Sequence, residues 1–201
     1  MSFSMRRAVA EDAAPLLEIY APYVGSTDNS ISDVSFEYIL PSREEFSERI
    51  EKISVEYPYL VCLLNDRPVG YGYAHRYIER AAYQWDAELT VYLSSEARGK
   101  GFGKAVYRAL EDILKLQGVV NLYACITGSN EHSIAMHKSM GFRQAGFFKN
   151  AGFKNGHWLD VVWMAKTIAR CDGEPAAFKS VNEIGAKALA DILRRISAEL
   201  A

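Results

Sequence analysis

Two features of the sequence have the residue types for chemistry. They are a carboxylate, Glu88, at the start of an alternating apolar run, and the stretch Arg98-Gly99-Lys100-Gly101-Phe102-Gly103 ten residues later. Glycine lets the backbone take conformations that a side chain forbids, and it lets amide N–H groups approach a ligand closely. The first turn of a helix offers unpaired N–H groups and a positive dipole end, so a diphosphate suits a glycine loop placed there. Arg98, Lys100 and Lys104 add charge beside it. Two common phosphate patterns do not apply. In the triphosphatase loop a hydroxyl residue follows Gly-Lys, whereas Ala105 follows Gly103-Lys104, and the dinucleotide pattern Gly-x-Gly-x-x-Gly is missing because Gly99, Gly101 and Gly103 fall at every second position.

These groups must be positioned by a strand and a helix. Leu89, Val91 and Leu93 alternate with Glu88, Thr90 and Tyr92, which predicts a strand over 88–93. Val106, Leu110, Ile113, Leu114 and Gln117 share one helix face, and Gly118 is placed as its C-cap. Upstream, 4–9 reads as a first strand. Glu11-Asp12 opens a helix carrying Leu16, Ile19, Tyr20 and Tyr23 on one side, and a polar loop containing Thr27-Asp28-Asn29-Ser30 leads to Phe36. Phe36 reads either as a ring closing over a ligand or as a buried aromatic under the loop. Ser42-Arg43-Glu44-Glu45 is a capping box before Phe46, Ile50 and Ile53, and 60–64 with 69–74 predicts a hairpin around Asn65-Asp66-Arg67-Pro68. Val119 to Ile126 is a further strand. Asn130, Ser133, Ile134 and His137 share a helical face, and strands return from Gly146 to Met164. The order describes an α/β fold built on a mixed central sheet flanked by helices.

The chain has 201 residues, 49% of them hydrophobic, and a formal net charge of −2. That is a globular composition with no basic run, so neither nucleic acid nor a membrane surface is expected as a partner, and a small-molecule substrate is. No apolar stretch reads as a signal peptide or a membrane span, which predicts a cytoplasmic protein. Cys62, Cys125 and Cys171 read as reduced structural residues, with Cys125 in the core. The four histidines have no metal-binding spacing, so no metal is expected.

Arg-x-x-Gly-x-Gly after a strand, read as Arg98 to Gly103, resembles the coenzyme A pyrophosphate loop of the GCN5-related N-acetyltransferases (GNAT), and the order of elements is similar to theirs. Arg80-x-Ala82-Tyr83-x-Trp85-x-Ala87-Glu88-x-Thr90-Val91-Tyr92, with Ala151-Gly152-Phe153-Lys154-x-Gly156-x-Trp158-x-Asp160-Val161, resembles the phosphinothricin and methionine sulfone acetyltransferase subfamily. The resemblance implies a GNAT domain over 1–169 that uses acetyl-CoA and acetylates the α-amine of a small amino acid. It also implies a homodimer. Arg98 to Lys104, the backbone of Val91, Tyr92 and Leu93, and Asn130 with Ser133 would hold the coenzyme. Phe36, Tyr73, Arg80, Tyr83 and Trp85 would line an aromatic substrate pocket, with the guanidinium of Arg80 gripping a carboxylate.

An amine attacks a thioester only when deprotonated, so a base is required. The residues alone leave Glu88 as a base or as a strand-edge carboxylate in an ion pair; the resemblance favours the base. The departing thiolate needs a proton, for which Tyr107 competes with His137, which reads as an acid, a second base or a structural residue. The residues flanking Arg80, Tyr77, Ile78, Glu79 and Ala81, are less polar than recognition of a phosphinate would suggest. Acetylation of another small amine or a protein amine, and a non-catalytic acyl-CoA-binding module, remain as alternatives. Beyond the resemblance lies an extension, 170–201. Ser180-Val181-Asn182-Glu183 reads as a second capping box. It precedes a helix with Val181, Ile184, Ala188, Ile192 and Ile196 on one face, which needs an apolar surface on its own domain or on a second subunit.

Overall fold

A computed structural model describes residues 2–25 and 32–200, so the predicted loop residues Thr27-Asp28-Asn29-Ser30 lie outside the described residues. The strands are β1 (Phe3–Arg7), β2 (Tyr59–Leu64), β3 (Arg67–Arg76), β4 (Asp86–Leu93), β5 (Asn121–Thr127), β6 (Arg143–Lys154) and β7 (His157–Thr167). They form one mixed sheet in the order β1-β2-β3-β4-β5-β7-β6, with β4–β5 the parallel pair. Helices α1 (Ala13–Val24) and α2 (Arg43–Glu56) pack on one face, where Leu16, Ile19, Phe46 and Ile50 meet Tyr59, Val61 and Tyr71. On the other face lie α3 (Phe102–Gln117), α4 (Glu131–Ser139) and α5 (Ala186–Ala198). The sheet is therefore covered on both sides.

Local signals explain most boundaries. Ser42 Oγ accepts the Glu45 N–H (3.1 Å) and Glu45 accepts the Ser42 N–H (2.8 Å), which closes the capping box that starts α2. Asn65 and Asp66 take the left-handed conformation, so the β2–β3 turn has two residues and β3 already begins at Arg67. The first strand ends at Arg7 instead of residue 9. Asp12 accepts the Val9 N–H (2.9 Å) and a pair of bonds from Arg6 (both 2.7 Å), turning the chain toward α1.

Three expectations are corrected. Cys125 is exposed, because its side of β5 faces a cleft instead of the core. The box at Ser180 closes a one-turn 3-10 helix, Val181–Glu183, and the chain restarts at Gly185, so the helical phase is reset. The buried face of α5 is consequently Leu189, Leu193 and Ile196, while Ala188 is exposed. That face lies on its own domain, against β1 and α3. No helix among the described residues is long and apolar enough to cross a membrane.

Candidate active site

The parallel rungs between β4 and β5 pair Asp86 with Asn121, Ala87 with Leu122 and Glu88 with Tyr123, and then stop. Beyond Glu88 the two strands diverge and open a gap within the sheet. On its other side β4 pairs with β3 through Leu93, and the flanking Ser94 N–H to Val69 carbonyl bond (2.8 Å) fixes the alternation of that ladder. Tyr92 thus bonds Tyr71, whereas Val91 and Leu93 turn their amides into the gap. The expected row of three backbone donors reduces to two, because Tyr92 spends its N–H inside the sheet. One of those two is engaged: Leu93 N–H reaches the Tyr23 hydroxyl (3.3 Å), which itself donates to the Leu93 carbonyl (2.6 Å). Tyr23 was not recognised as a site residue in the sequence, where its helical spacing reads as packing.

Glu88 stands at the point of divergence, its side chain 18% exposed. Its face of the sheet carries Tyr73 and His75 from β3, Tyr123 and Cys125 from β5, and Trp163 from β7. Tyr77 stacks on Tyr123 (4.1 Å between centroids) and meets Trp163 edge-on. Burial in this aromatic cleft raises the Glu88 carboxyl above its ordinary value, and the imidazole of His75, 3.9 Å away, acts in the opposite direction. Both sequence readings of Glu88 therefore have a structural counterpart. It faces the cleft as a base would, and it lies at ion-pair distance from a partner.

Tyr107 and His137 are buried together on the other side of the gap, on α3 and α4. His137 Nδ1 contacts the Ser133 carbonyl (2.7 Å), so the proton sits on Nδ1 and Nε2 accepts from the Tyr107 hydroxyl (2.7 Å). Burial lowers the imidazole and raises the phenol, so both rings are neutral. His137 is thus shut off from solvent, and Tyr107 is its partner.

The glycine loop meets a helix start as expected. Gly101 is the N-cap of α3 at φ +84° with no side-chain cap, and Gly99 has φ +75° with open space where a Cβ would stand. The first-turn amides are left for an anion, with exposed Lys100 and Lys104 beside them. This cradle fits a diphosphate. Arg98 lies over the Tyr23 ring, 5.1 Å from its centroid. Two members of the loop also pack, while their amides belong to that first turn. Phe102 is buried and stacked on Phe3 (4.4 Å), and Gly103 lies inside the helix against Met136 and Leu93. Asn130 likewise caps α4, its Oδ1 accepting the Ser133 N–H (3.1 Å).

Of the residues expected to line the substrate pocket, Tyr73 shares the face of Glu88, and Tyr83 lies on the exposed 3-10 turn Ala81–Tyr83. Arg80 caps that turn and, among the described residues, makes no ion pair or side-chain hydrogen bond. Trp85 is not brought to the cleft. It sits one strand position out of phase with Glu88, and its indole donates to the Ala176 carbonyl in the extension (2.7 Å). Phe36 is half-exposed with its ring over Gly152, where a Cβ would collide with it. Tyr38 donates to the Phe153 carbonyl, and the buried Lys154 donates to the carbonyls of Val24 (3.0 Å) and Ser35 (2.6 Å). The string from Gly152 to Trp158 is therefore a hairpin that holds the α1–α2 connection at the cleft, a role invisible before the two segments were seen together. Among the described residues, no cluster of three or more metal-binding side chains is present.

Residues 5–163 match the family model described as an acetyltransferase (GNAT) domain. A phosphinothricin N-acetyltransferase from Alcaligenes faecalis is 34% identical over 81% of this chain and 81% of its own length. An L-methionine sulfoximine/L-methionine sulfone acetyltransferase from Pseudomonas aeruginosa is 29% identical over 82% of this chain and 94% of its own. Among solved structures, a phosphinothricin acetyltransferase from Sinorhizobium meliloti in complex with acetyl-CoA superposes with a TM-score of 0.81 at 36% identity. That match covers 88% of this chain and 94% of that one.

Proposed function

This chain belongs to the GNAT acetyltransferase family, and from that premise we propose that it transfers acetyl from acetyl-CoA to the α-amine of a small amino acid of the methionine sulfone, methionine sulfoximine or phosphinothricin type. The observation that carries the reading is the divergence of β4 from β5 immediately after Glu88, which sets a carboxylate beside the backbone N–H of Val91 and the Tyr23-bound N–H of Leu93. The coenzyme supplies an acyl thioester. In this reading Arg98, Gly99, Lys100, Gly101 and Lys104 hold its diphosphate, helped by the first turn of α3.

Glu88 accepts the proton that the substrate ammonium must lose, and its raised carboxyl suits it to hold that proton near neutrality. The Val91 N–H donates to the thioester oxygen as negative charge grows there, and Leu93 joins it when Tyr23 releases its amide. Tyr107 turns its hydroxyl from His137 to the departing sulfur, and His137 orients it. Arg80, with its fork unspent, grips the substrate carboxylate. Exposed thiols at Cys125 and Cys171 are in keeping with a reducing, cytoplasmic setting. We place a homodimer contact on the β6–β7 hairpin at the sheet edge, where Phe147, Phe148 and Phe153 of β6 and Trp158 of β7 are exposed.

The test is thiol release from acetyl-CoA with a panel of L-amino acids, each beside its decarboxylated amine. L-Methionine sulfone and phosphinothricin should be acetylated far faster than their amines, and Arg80→Lys should raise KM for the amino acids while leaving acetyl-CoA affinity unchanged. Equal rates on both members of each pair would remove the carboxylate clamp and the substrate class with it.

A further inference from the structure

The cleft contains a second ionisable group beside the base that neither family string includes. His75 lies directly across the β3–β4 ladder from Glu88, on the same face of the sheet. Its Nδ1 contacts the Arg76 carbonyl at 3.0 Å, so the ring is held from the backbone with Nδ1 as donor, and Nε2 is left pointing at Glu88 Oε2, 3.9 Å away. Among the described residues no lysine or arginine pairs with Glu88: the neighbouring Arg76 is spent on Glu56 (2.9 Å), and Arg80 stands in the open. The side chain of His75 is 36% exposed, twice the figure for Glu88, so it stands at the cleft mouth.

The other titratable groups around the carboxylate are poor counter-charges. Tyr73 from β3 and Cys125 from β5 are pushed up to about 12 and about 11, and burial also raises Tyr107 from α3 and Tyr77 from the loop after β3. All four are neutral in the working range. Asp86, two positions earlier on β4, is an acidic side chain and accepts from Asn121 Nδ2 (2.9 Å).

We propose that His75 is the positioning residue that keeps Glu88 ionised and aimed at the substrate ammonium. The proposal rests on reading Glu88 as the base. The imidazole acts against the effect of burial on the carboxylate beside it, so the base survives to lower pH than burial alone would allow. Loss of the imidazole removes that opposition, Glu88 binds its proton more tightly, and the acidic limb of activity moves to higher pH.

The experiment is kcat against pH at saturating acetyl-CoA, with L-methionine sulfone or the fastest amine of the panel. It compares wild type, His75→Ala, His75→Lys and Glu88→Gln. His75→Ala should move the acidic limb upward by about one pH unit, the shift expected when an opposite charge some 4 Å away is lost. His75→Lys keeps a cation and should stay with wild type. The acetyl-CoA dissociation constant should be the same in both His75 variants, and His75→Gln replaces the alanine variant if that one melts early. A His75→Ala profile superimposed on wild type overturns the proposal, and so does a His75→Lys profile shifted as far as the alanine one, since a merely structural imidazole is lost in both. In either case a Glu88→Gln protein with kcat lowered roughly 10²- to 10⁴-fold leaves the base assignment standing. A fully active Glu88→Gln protein sinks both.

Discussion

The Tyr107 hydroxyl has one proton, and in the structure it is directed at His137 Nε2, while Nδ1–H of the same ring is spent on the Ser133 carbonyl. That chain is the ground for the proposed division of labour, which a list of residue types leaves open. A buried imidazole with both nitrogens engaged has no free proton for a leaving group, whereas a phenol can exchange one acceptor for another. Tyr107→Phe is therefore expected to lower kcat by roughly 10²-fold, the lower range for a lost proton donor, with acetyl-CoA affinity retained. It should also lower stability by about 1–3 kcal/mol, because Nε2 is left buried without a donor. His137→Gln keeps an acceptor near the hydroxyl and should cost much less in kcat. Steady-state kinetics with a thermal melt of each variant decide it, and a folded Tyr107→Phe enzyme at full kcat would eliminate the phenol as the acid. Glu88, Tyr107 and His137 were all legible in the sequence as candidates. What was not legible was their mutual geometry, since His75 and Tyr23 acquire their roles only through cross-strand register and helix docking, neither of which periodicity records.

The β4–loop–α3 unit is the element whose reading survives most nearly intact, because its signals are local. An alternating strand, glycines, an amphipathic face and a glycine C-cap all lie within one stretch of chain, and each acts on its near neighbours. The error inside it was one of phase. Phe102 and Gly103 were read with the loop but already belong to the helix, whose first turn must pack on Phe3 and Met136. Gly101 is different: its φ of +84° is one that a β-branched residue strongly disfavours, and the first-turn amides of α3 follow it. Gly101→Val should accordingly abolish acetyl-CoA binding in a protein that still folds, as measured by titration calorimetry beside circular dichroism. Unchanged affinity in the folded variant would move the diphosphate elsewhere. The α5 region misled for the opposite reason. Its apolar residues were read as one continuous periodic run, but Gly185 interrupts the chain, and no count of spacing carries across a break in helical phase.

At the scale of the molecule, the open matter is whether 170–201 is an appendage or part of the domain it follows. Its anchors reach widely spaced parts of the chain. Trp85 donates to Ala176, and the buried Gln117 donates to Glu56 and Lys179 (2.7 and 2.8 Å). Phe178 packs at a tilt against Tyr57, Asn182 donates to Ser54 and Val55, and Arg195 pairs with Asp112 (2.6 Å). Val181, Leu189, Leu193 and Ile196 lie in the same apolar cluster as Phe3, Met5, Ile113 and Leu114, with Ile196 entirely buried. The exposed ion pairs contribute little, so the attachment rests on that shared core. A core held in common predicts common unfolding. Ile196→Ala should destabilise the whole protein by about 2–5 kcal/mol, the range for removing a buried isoleucine side chain beyond its β-carbon, and should do so within a single transition. Near-ultraviolet and far-ultraviolet dichroism followed through a denaturant titration should move together in the variant as in the wild type. An early, separate step with the main transition left at its wild-type midpoint would mean that the helix melts alone. The acetyltransferase domain would then be complete without it, and Leu200, whose Cδ2 would lie 3.4 Å from a Cβ at Gly101, would be a removable neighbour of the coenzyme loop instead of part of its wall.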